Sequence, residues 1–429
     1  MSLGGAMNTA VSALNAQSQQ LAMISENLAN SSTTGYKTVT GDFATLLNGQ
    51  STSKYSSGGV TVYAKQNVTA QGQIQSTSTT TDMAIDGNGM FCVSYNKDTS
   101  DMYFTRDGSF SEDDNGYLTL NGKYYLEGWP TDSSGNITAS DTSSVSGLQA
   151  VNLNTHSTSA AGTSTYTLAQ NLPADASVSA SFSTSLSVYD SLGVAETVPA
   201  TWTKTAANTW TVTLGDPTNS SGTTSGSIGG NTTYTLNFAS SGALSSITDS
   251  SGTAVTTPTI TVSSWTDGAS ASAISFDIGT SGSTSGLTQY ASGSTTPSID
   301  KKSSSQDGYA YGRLTGVTVG TDGTITAKYD NGQTIPIYKV PIATFNNEDG
   351  LSSKSDNVYQ MTSTSGSYTL HTAGTGGSGK VDGSSLESST TDTSTELSLM
   401  IIAQQAYSAA SQIISTSKSM FDDLIQVVR

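Results

Sequence analysis

Basic residues are scarce in this chain. Lysine and arginine together number 16, against 33 aspartates and glutamates, so the formal net charge over 429 residues is −17. No cluster of lysine or arginine is present that could follow a phosphate backbone or an anionic headgroup. The charge pattern therefore excludes nucleic acids and anionic membranes as expected partners.

Cysteine and histidine are almost missing as well. The single cysteine, Cys92, cannot form an internal disulfide, and its apolar neighbours at 90–93 predict a buried structural thiol. The two histidines, His156 and His371, are too few for a typical zinc set. We therefore expect no disulfide framework and no metal site.

Signals of catalysis are also absent. The segment 374–380, GTGGSGK, has the spacing of a phosphate-binding loop, but Val381 follows where the motif needs serine or threonine. No helical pattern comes after it, so no helix N-terminus would face a phosphate. We predict a flexible loop there, no cofactor and no enzyme activity.

No long apolar run is present. None approaches the roughly 18 consecutive apolar residues that a membrane helix needs. The first basic residue is Lys37, so the beginning of the sequence lacks the basic and continuously apolar segments of a secretory signal. We expect no membrane insertion, and export, if it occurs, without a cleaved signal peptide.

Both ends of the chain carry a heptad pattern. Apolar residues follow a 4-3 spacing through 1–36 and again through 394–429, which predicts two amphipathic helices. Because terminal segments usually fray unless something docks them, we predict a polymerisation domain in which these helices contact each other or neighbouring copies. Packing inside an ordinary globular core is the alternative. The predicted interface residues are Leu3, Met7, Leu14, Leu21, Ile24, Leu28, Met400, Tyr407, Ile414, Phe421, Leu424 and Val428.

The second helix has a wider apolar face than a two-stranded seam requires. A face of this width can contact more than one neighbour. A parallel stripe runs through Leu399, Ala403, Ala406, Ala410, Ile413, Met420, Leu424 and Val427.

The middle of the chain is rich in serine, threonine and glycine, with strand and turn signals. Asn121-Gly122 is typical of a tight hairpin, and strands are expected at 102–105, 325–329 and 334–340. Regularly placed aromatic residues such as Trp202 and Trp210 predict a folded β domain within 131–300, because disordered tracts lack them. The residues Phe43, Leu46 and Leu47 suggest a weakly helical connector, and 372–393 is predicted to be loop.

These patterns predict a mainly β chain with terminal α-helices. The helices would form a coiled-coil-like inner domain, and the rest would form nested β domains, one discontinuous and one inserted. The expected parts are a terminal helical domain of 1–36 plus 394–429, a connector of 37–71 plus 373–393, a discontinuous β domain of 72–145 plus 301–372 and an inserted outer β domain of 146–300.

Residues 21–37 read LAMISENLANSSTTGYK. In this segment Asn27, Asn30, Gly35, Tyr36 and Lys37 match a motif of the bacterial flagellar rod, hook and hook-associated axial proteins, and the chain resembles that family. The resemblance extends to six further stretches, at 72–93, 103–129, 306–317, 322–333, 383–389 and 396–414. The chain departs from the family pattern at Gln405, where a basic residue is frequent.

The resemblance implies a structural role outside the cell. The long insertion at 146–300 favours the hook members, whose subunits would polymerise into a flexible curved tube that transmits torque from rod to filament. The implied partners are copies of the chain itself, the distal rod, the hook cap, the hook–filament junction protein and the flagellar type III export apparatus. The alternatives are a distal rod or junction member, or a secreted Ser/Thr-rich adhesin.

Overall fold

The structure is a computed structural model, and it describes residues 3–46, 58–97 and 101–428. The chain divides into two compact units, each with its own core. The first unit comprises Met1–His156, Gly316–Lys328 and Thr334–Arg429, and the second comprises Ser157–Thr315 and Tyr329–Gln333. The sequence placed the start of the insertion at 146, whereas the second unit begins at Ser157.

Two long helices lie at the ends of the first unit. Helix α1 is Leu3–Ala29 and helix α2 is Thr393–Val428. The Asp392 carboxylate caps α2 by accepting hydrogen bonds from the Ser394 N–H at 2.8 Å and the Thr395 N–H at 3.3 Å. The helices pack against each other, and since α1 ends where α2 begins, they run antiparallel. No helix in the described ranges combines the length and apolarity needed to cross a membrane.

A β-hairpin covers α1. Its strands are Val39–Leu46 and Gly59–Gln66, and Val62 packs with Ala16 and Met23 of the helix. The predicted weakly helical start at Phe43 and Leu46 is wrong, because that segment pairs along its length with the strand rich in valine and threonine opposite. Leu47 lies outside the described residues.

The β part of the first unit is built from two separate passages of the chain. The strand Met90–Tyr95 pairs with Met102–Thr105 and Tyr124–Pro130 from the first passage and with Pro341–Thr344 from the second. Cys92 lies in this core with no exposed surface, as predicted, and burial raises the pKa of its thiol. The other strands are Ile74–Ser76, Met83–Asp86, Ser111–Glu112, Leu118–Leu120, Gln149–Ala150, Thr324–Tyr329, Thr334–Lys339, Ser352–Ser353, Val358–Gln360, Thr369–Thr372, Lys380–Gly383 and Ser385–Glu387.

The loop predicted for 372–393 is partly wrong. Lys380–Gly383 pairs with Met83–Asp86, and Ser385–Glu387 pairs with Ile74–Ser76. The glycine-rich segment before Val381 therefore leads into a strand and not into a phosphate-binding helix. In the described ranges no three metal-ligating side chains of His, Cys, Asp or Glu come together.

The second unit is a sandwich of two sheets around one core. The core contains Trp202, Trp210, Tyr234, Phe238 and Phe276, all buried. One sheet is a meander of Ser181–Tyr189, Ala195–Ala206, Thr209–Leu214, Thr233–Phe238 and Leu244–Asp249. The other contains Gly226–Gly229, Thr259–Trp265, Ser272–Asp277, Thr165–Pro173, Thr288–Tyr290 and Asp300–Gln306.

A few elements lie outside the two sheets of the sandwich. Thr158–Ala161 pairs with Tyr309–Val319, the strand within which the boundary between the units falls. Four single turns of 3-10 helix are Val145–Gly147, Asn154–His156, Glu348–Gly350 and Ser355–Asn357. The predicted class, mainly β with terminal helices and several β domains, is confirmed.

Candidate functional site

The two helices meet along a seam of small side chains on α2. Every seventh residue of that helix is buried, namely Glu396, Ala403, Ala410 and Ser417. Alanine and serine at this repeat allow the α1 backbone to approach closely, as at the a positions of a coiled coil. We call these four residues the seam.

Most of the predicted interface residues flank this seam within a single chain. Ile24 is buried, and Tyr407 is exposed. The half-buried ones are Met7, Leu14, Leu21, Leu28, Met400, Ile414 and Phe421. The side chains of Leu3, Leu424 and Val428 lie outside the described part of the chain. Since these residues lie beside the contact between α1 and α2, their role in polymerisation stays a prediction.

A second heptad row on α2 is left uncovered. Leu399, Ile402, Ile413 and Met420 are 39%, 60%, 50% and 54% exposed. Leu399, Ile413 and Met420 follow the same seven-residue repeat as the seam, with Ala406 at the remaining position, and Ile402 lies one turn from Leu399. We call these four large residues the α2 stripe. Three of them belong to the wide apolar face predicted from the sequence, and Ile402 was not predicted.

The solvent side of α1 has a different character. Its exposed residues are mainly small or polar, for example Asn8, Asn15, Ser18 and Gln19. Among the described side chains of α1, Val11 is the single large apolar one that is largely exposed. The two helices therefore present unlike surfaces.

Asn27 connects the C-terminal end of α1 to the N-terminal end of α2. Its amide donates to the Val39 carbonyl at 2.8 Å and to Glu396 Oε1 at 3.0 Å. Its oxygen accepts from the Val39 N–H at 2.9 Å and from the Tyr36 hydroxyl at 3.1 Å. One side chain thus joins the end of α1, the start of the hairpin and the first turn of α2.

The environment of the Glu396 carboxyl disfavours its charged form. Burial raises its pKa, an effect that the Asn27 hydrogen bond opposes and the nearby Asp392 charge reinforces. Its Oε2 atom has no hydrogen-bond donor in the described part of the chain. Burial also raises the pKa of Tyr36 to about 12, with further contributions from Glu26 and Glu396. The region therefore favours uncharged forms of both groups.

Lys37 lies in a second buried network, around Glu387. The ammonium donates to Glu387 Oε1 at 2.6 Å and also to the Ala70 carbonyl. The Gly72 N–H donates to the same carboxylate oxygen at 2.8 Å, and Arg106 Nη1 lies 3.4 Å from the other. Burial lowers the pKa of Lys37, and Glu387 opposes that shift. Three ionisable side chains are therefore enclosed together at the point where the helices leave the strands.

The turn between α1 and Lys37 is fixed by Asn30 and Gly35. The Asn30 amide donates to the Glu26 carbonyl at 2.9 Å and so closes the helix. Gly35 has a φ of +64°, and a Cβ at this position would lie 2.7 Å from the Asp107 nitrogen. We call residues 27–39, 70–72, 106–107 and 385–396 together the helix root.

The residues of the family motif all lie in the first of the four segments that form the helix root. The sequence indicated Asn27, Asn30, Gly35, Tyr36 and Lys37, but not their partners. Arg106, Glu387 and Glu396 lie in other segments with no local signal that they meet the motif. Glu387, for example, lies 350 residues away from Lys37 along the chain.

Four family models match successive parts of the chain. The flagella basal body rod protein model matches residues 7–37, and the flagellar hook protein FlgE/F/G D1 domain matches 84–166. The flagellar basal body protein FlaE D2 domain matches 152–309. The flagellar basal body rod FlgEFG protein C-terminal model matches 383–427. The first and last matches include most of the helix pair and its root.

Curated relatives match over their full length. The flagellar hook proteins FlgE of Rhizobium meliloti and Brucella abortus are each 33% identical to the chain, with 100% of both chains covered. Among solved structures, the flagellar hook protein FlgE2 of Helicobacter pylori is similar in fold, with a TM-score of 0.52 at 14% identity. The similarity covers 73% of this chain and 100% of that one.

Proposed function

Because the chain belongs to the flagellar hook protein FlgE family, as a structural subunit of the hook, we propose that it polymerises through the α2 stripe. The observation that carries this proposal is the exposure of four large apolar side chains at heptad spacing on a helix already paired with α1. A regular apolar row of this kind is typical of a surface that another helix covers.

The free energy that one neighbouring subunit would contribute by covering the α2 stripe is modest. Complete burial of a large aliphatic side chain contributes about 1.5–3 kcal/mol, and the stripe residues have about half of their surface left to bury. Four of them would therefore contribute on the order of 4 kcal/mol, comparable to the lowest estimates of the entropy lost on association. Stable assembly then needs several neighbours per subunit, which a tubular lattice provides and a dimer does not.

The unlike surfaces of the two helices favour an open polymer. The α2 stripe is apolar, whereas the solvent side of α1 is amide-rich. A contact of one patch with a different patch is heterologous, and it generates rings or helical filaments. We propose a helical tube of this type that bends while it transmits torque between rod and filament.

The surface of the second unit suits a tube that bends. Its exposed residues are largely serine, threonine and glycine. Hydroxyl groups can exchange protein and water partners at small net cost, because a typical hydrogen bond contributes only about 1 kcal/mol. Contacts built from them can lengthen and shorten during rotation.

The further partners and the export route are part of the same proposal. We propose contacts with the distal rod, the hook cap and the hook–filament junction protein, and export through the flagellar type III apparatus. The proposed role is structural and uses no catalysis and no cofactor. A rod protein, a junction protein or an adhesin is not favoured, because relatives named hook proteins match the full chain.

Neighbouring isoleucines on α2 allow a direct test. Ile413 belongs to the stripe and is 50% exposed, whereas Ile414 is half-buried beside the seam. We expect Ile413→Asp to leave the helix pair intact and to abolish tube formation, because the carboxylate would have to be buried between subunits. Ile414→Asp should disrupt the helix pair as well. Gln412→Asp adds the same charge on an exposed position and is the matched control.

Each variant would be expressed in a strain that lacks the chromosomal copy. Electron microscopy of purified basal bodies reports hook assembly, and circular dichroism of the purified chain reports helix content. Bodies that end at the rod in Ile413→Asp, with hooks in Gln412→Asp, would support the proposal. Normal hooks in Ile413→Asp, or loss of its helices in the monomer, would contradict it.

A further inference from the structure

Glu387 contacts the three other segments of the helix root. Its carboxylate accepts hydrogen bonds from Lys37 Nζ at 2.6 Å and from the Gly72 N–H at 2.8 Å, and it forms an ion pair with Arg106 at 3.4 Å. Its own carbonyl accepts from the Gly35 N–H at 2.8 Å. Glu387 thus joins the turn after α1, the strand before α2 and the loop after Met102–Thr105.

The arrangement is closed to water. The side chains of Lys37 and Glu387 are 0% exposed and that of Arg106 is 1% exposed. Charged groups in such an environment depend on each other, and removal of one partner from a buried ion pair is strongly destabilising because the other charge is left enclosed and unpaired. The geometry of the root therefore depends on the enclosed carboxylate offsetting the charge of the enclosed cations.

The backbone segments around the cluster are packed so closely that they cannot shift relative to one another. A Cβ on Gly72 would lie 2.0 Å from the Ser388 carbonyl oxygen, and one on Gly35 would lie 2.7 Å from the Asp107 nitrogen. Apolar contacts tolerate small shifts, but charge-assisted hydrogen bonds are short and directional. A cluster of this kind resists rotation of the attached helices.

We propose that Glu387 is a positioning residue that fixes the direction of the helix pair relative to the strands of the first unit. The inference rests on the proposed function, because a tube that transmits torque needs helices that cannot swivel on their own β domain. Net charge explains why glutamate is required. The three side chains together carry +1, and loss of the carboxylate would leave both cations without the oxygens that they contact, with Glu348 as the remaining buried carboxylate near them.

The test uses two spin labels in the full chain, at Gln404→Cys on α2 and Ser111→Cys on the β part of the first unit. Both sites are exposed, and the native Cys92 is buried. Electron–electron distance measurements on the dilute monomer should give one narrow distance in the parent. Glu387→Gln should lose that single distance, while Glu26→Gln, an exposed glutamate at the end of α1, should keep it.

A double variant separates positioning from simple destabilisation. Lys37→Met combined with Glu387→Gln restores the cluster charge to +1 and keeps an oxygen for the Gly72 N–H, so the narrow distance should return. A narrow distance in Glu387→Gln alone, or a broad one in the double variant, would overturn the proposal. Because this measurement is made without polymerisation, its result is independent of the assembly test with Ile413→Asp.

Discussion

Gly35 provides a quantitative test of how tightly the helix root is packed. Its φ of +64° is a left-handed conformation that costs an L-residue about 1–2 kcal/mol. Gly122 has nearly the same φ, +67°, but a Cβ there would meet no atom within 4 Å. Alanine at Gly122 therefore measures the conformational cost alone, and alanine at Gly35 measures that cost together with the clash.

The additional cost at Gly35 follows from the contacts. The new Cβ would lie 2.7 Å from the Asp107 nitrogen and 2.8 Å from the Arg106 carbonyl carbon, about 1 Å inside an ordinary van der Waals separation. Neither atom belongs to a flexible side chain, so the turn must move away and loosen the Gly35 hydrogen bond to the Glu387 carbonyl. Loss of that bond and of the packing around it amounts to about 2 kcal/mol.

Amide hydrogen exchange can measure this difference under conditions in which the first unit opens as a whole, because both substitutions then act on the same opening. The Val39 N–H donates to Asn27 and the Gly72 N–H donates to Glu387, so both report on opening of the root. A difference of about 2 kcal/mol corresponds to roughly thirtyfold faster exchange at these amides in Gly35→Ala than in Gly122→Ala. Equal exchange rates in the two variants would show that the root has space to accommodate the methyl group, and this result would contradict a rigid root.

Two further substitutions test other parts of the chain. Because burial raises the folded-state pKa of Glu396 above its ordinary value of 4.5, stability of the helix pair should fall as pH rises above 4.5. Glu396→Gln should remove that dependence in helix melting followed by circular dichroism, and an unchanged pH profile would contradict the assignment. In the second unit, Gln170 is 0% exposed and neither amide atom has a partner in the described residues, so Gln170→Met should stabilise the sandwich by about 1–2 kcal/mol. Urea unfolding followed by tryptophan fluorescence would measure this, and a less stable variant would indicate that the amide is satisfied.

Elements whose signals are local could be predicted from the sequence. The heptads define both helices to within a few residues, and Asn121-Gly122 forms the expected turn, with φ values of +53° and +67°. The strand Thr209–Leu214 follows from its period-two alternation, since its tryptophan and valine side chains lie in the sandwich core. In each case the information lies within one segment.

Elements stabilised by distant partners could not be predicted in this way. Lys380–Gly383 and Ser385–Glu387 are short and glycine- or serine-rich, and they become strands because Met83–Asp86 and Ile74–Ser76 supply their hydrogen bonds. The hairpin strand at Phe43 was misassigned for the same reason. Strand propensity depends on the neighbours that a segment meets, which a local pattern does not contain.

The α2 stripe and the helix root also differ in whether their signals are local or depend on distant partners. The stripe follows from periodicity, because residues three or four apart lie on one side of a helix. The root depends on Lys37 and Asn27 meeting Glu387 and Glu396 from the opposite end of the chain. A subunit that polymerises through the stripe can transmit torque only if the root is rigid, since a helix pair that swivels would rotate without its β domain. Assembly and rigidity are therefore separable properties, and a root variant that still forms tubes but transmits torque poorly is the phenotype that distinguishes them.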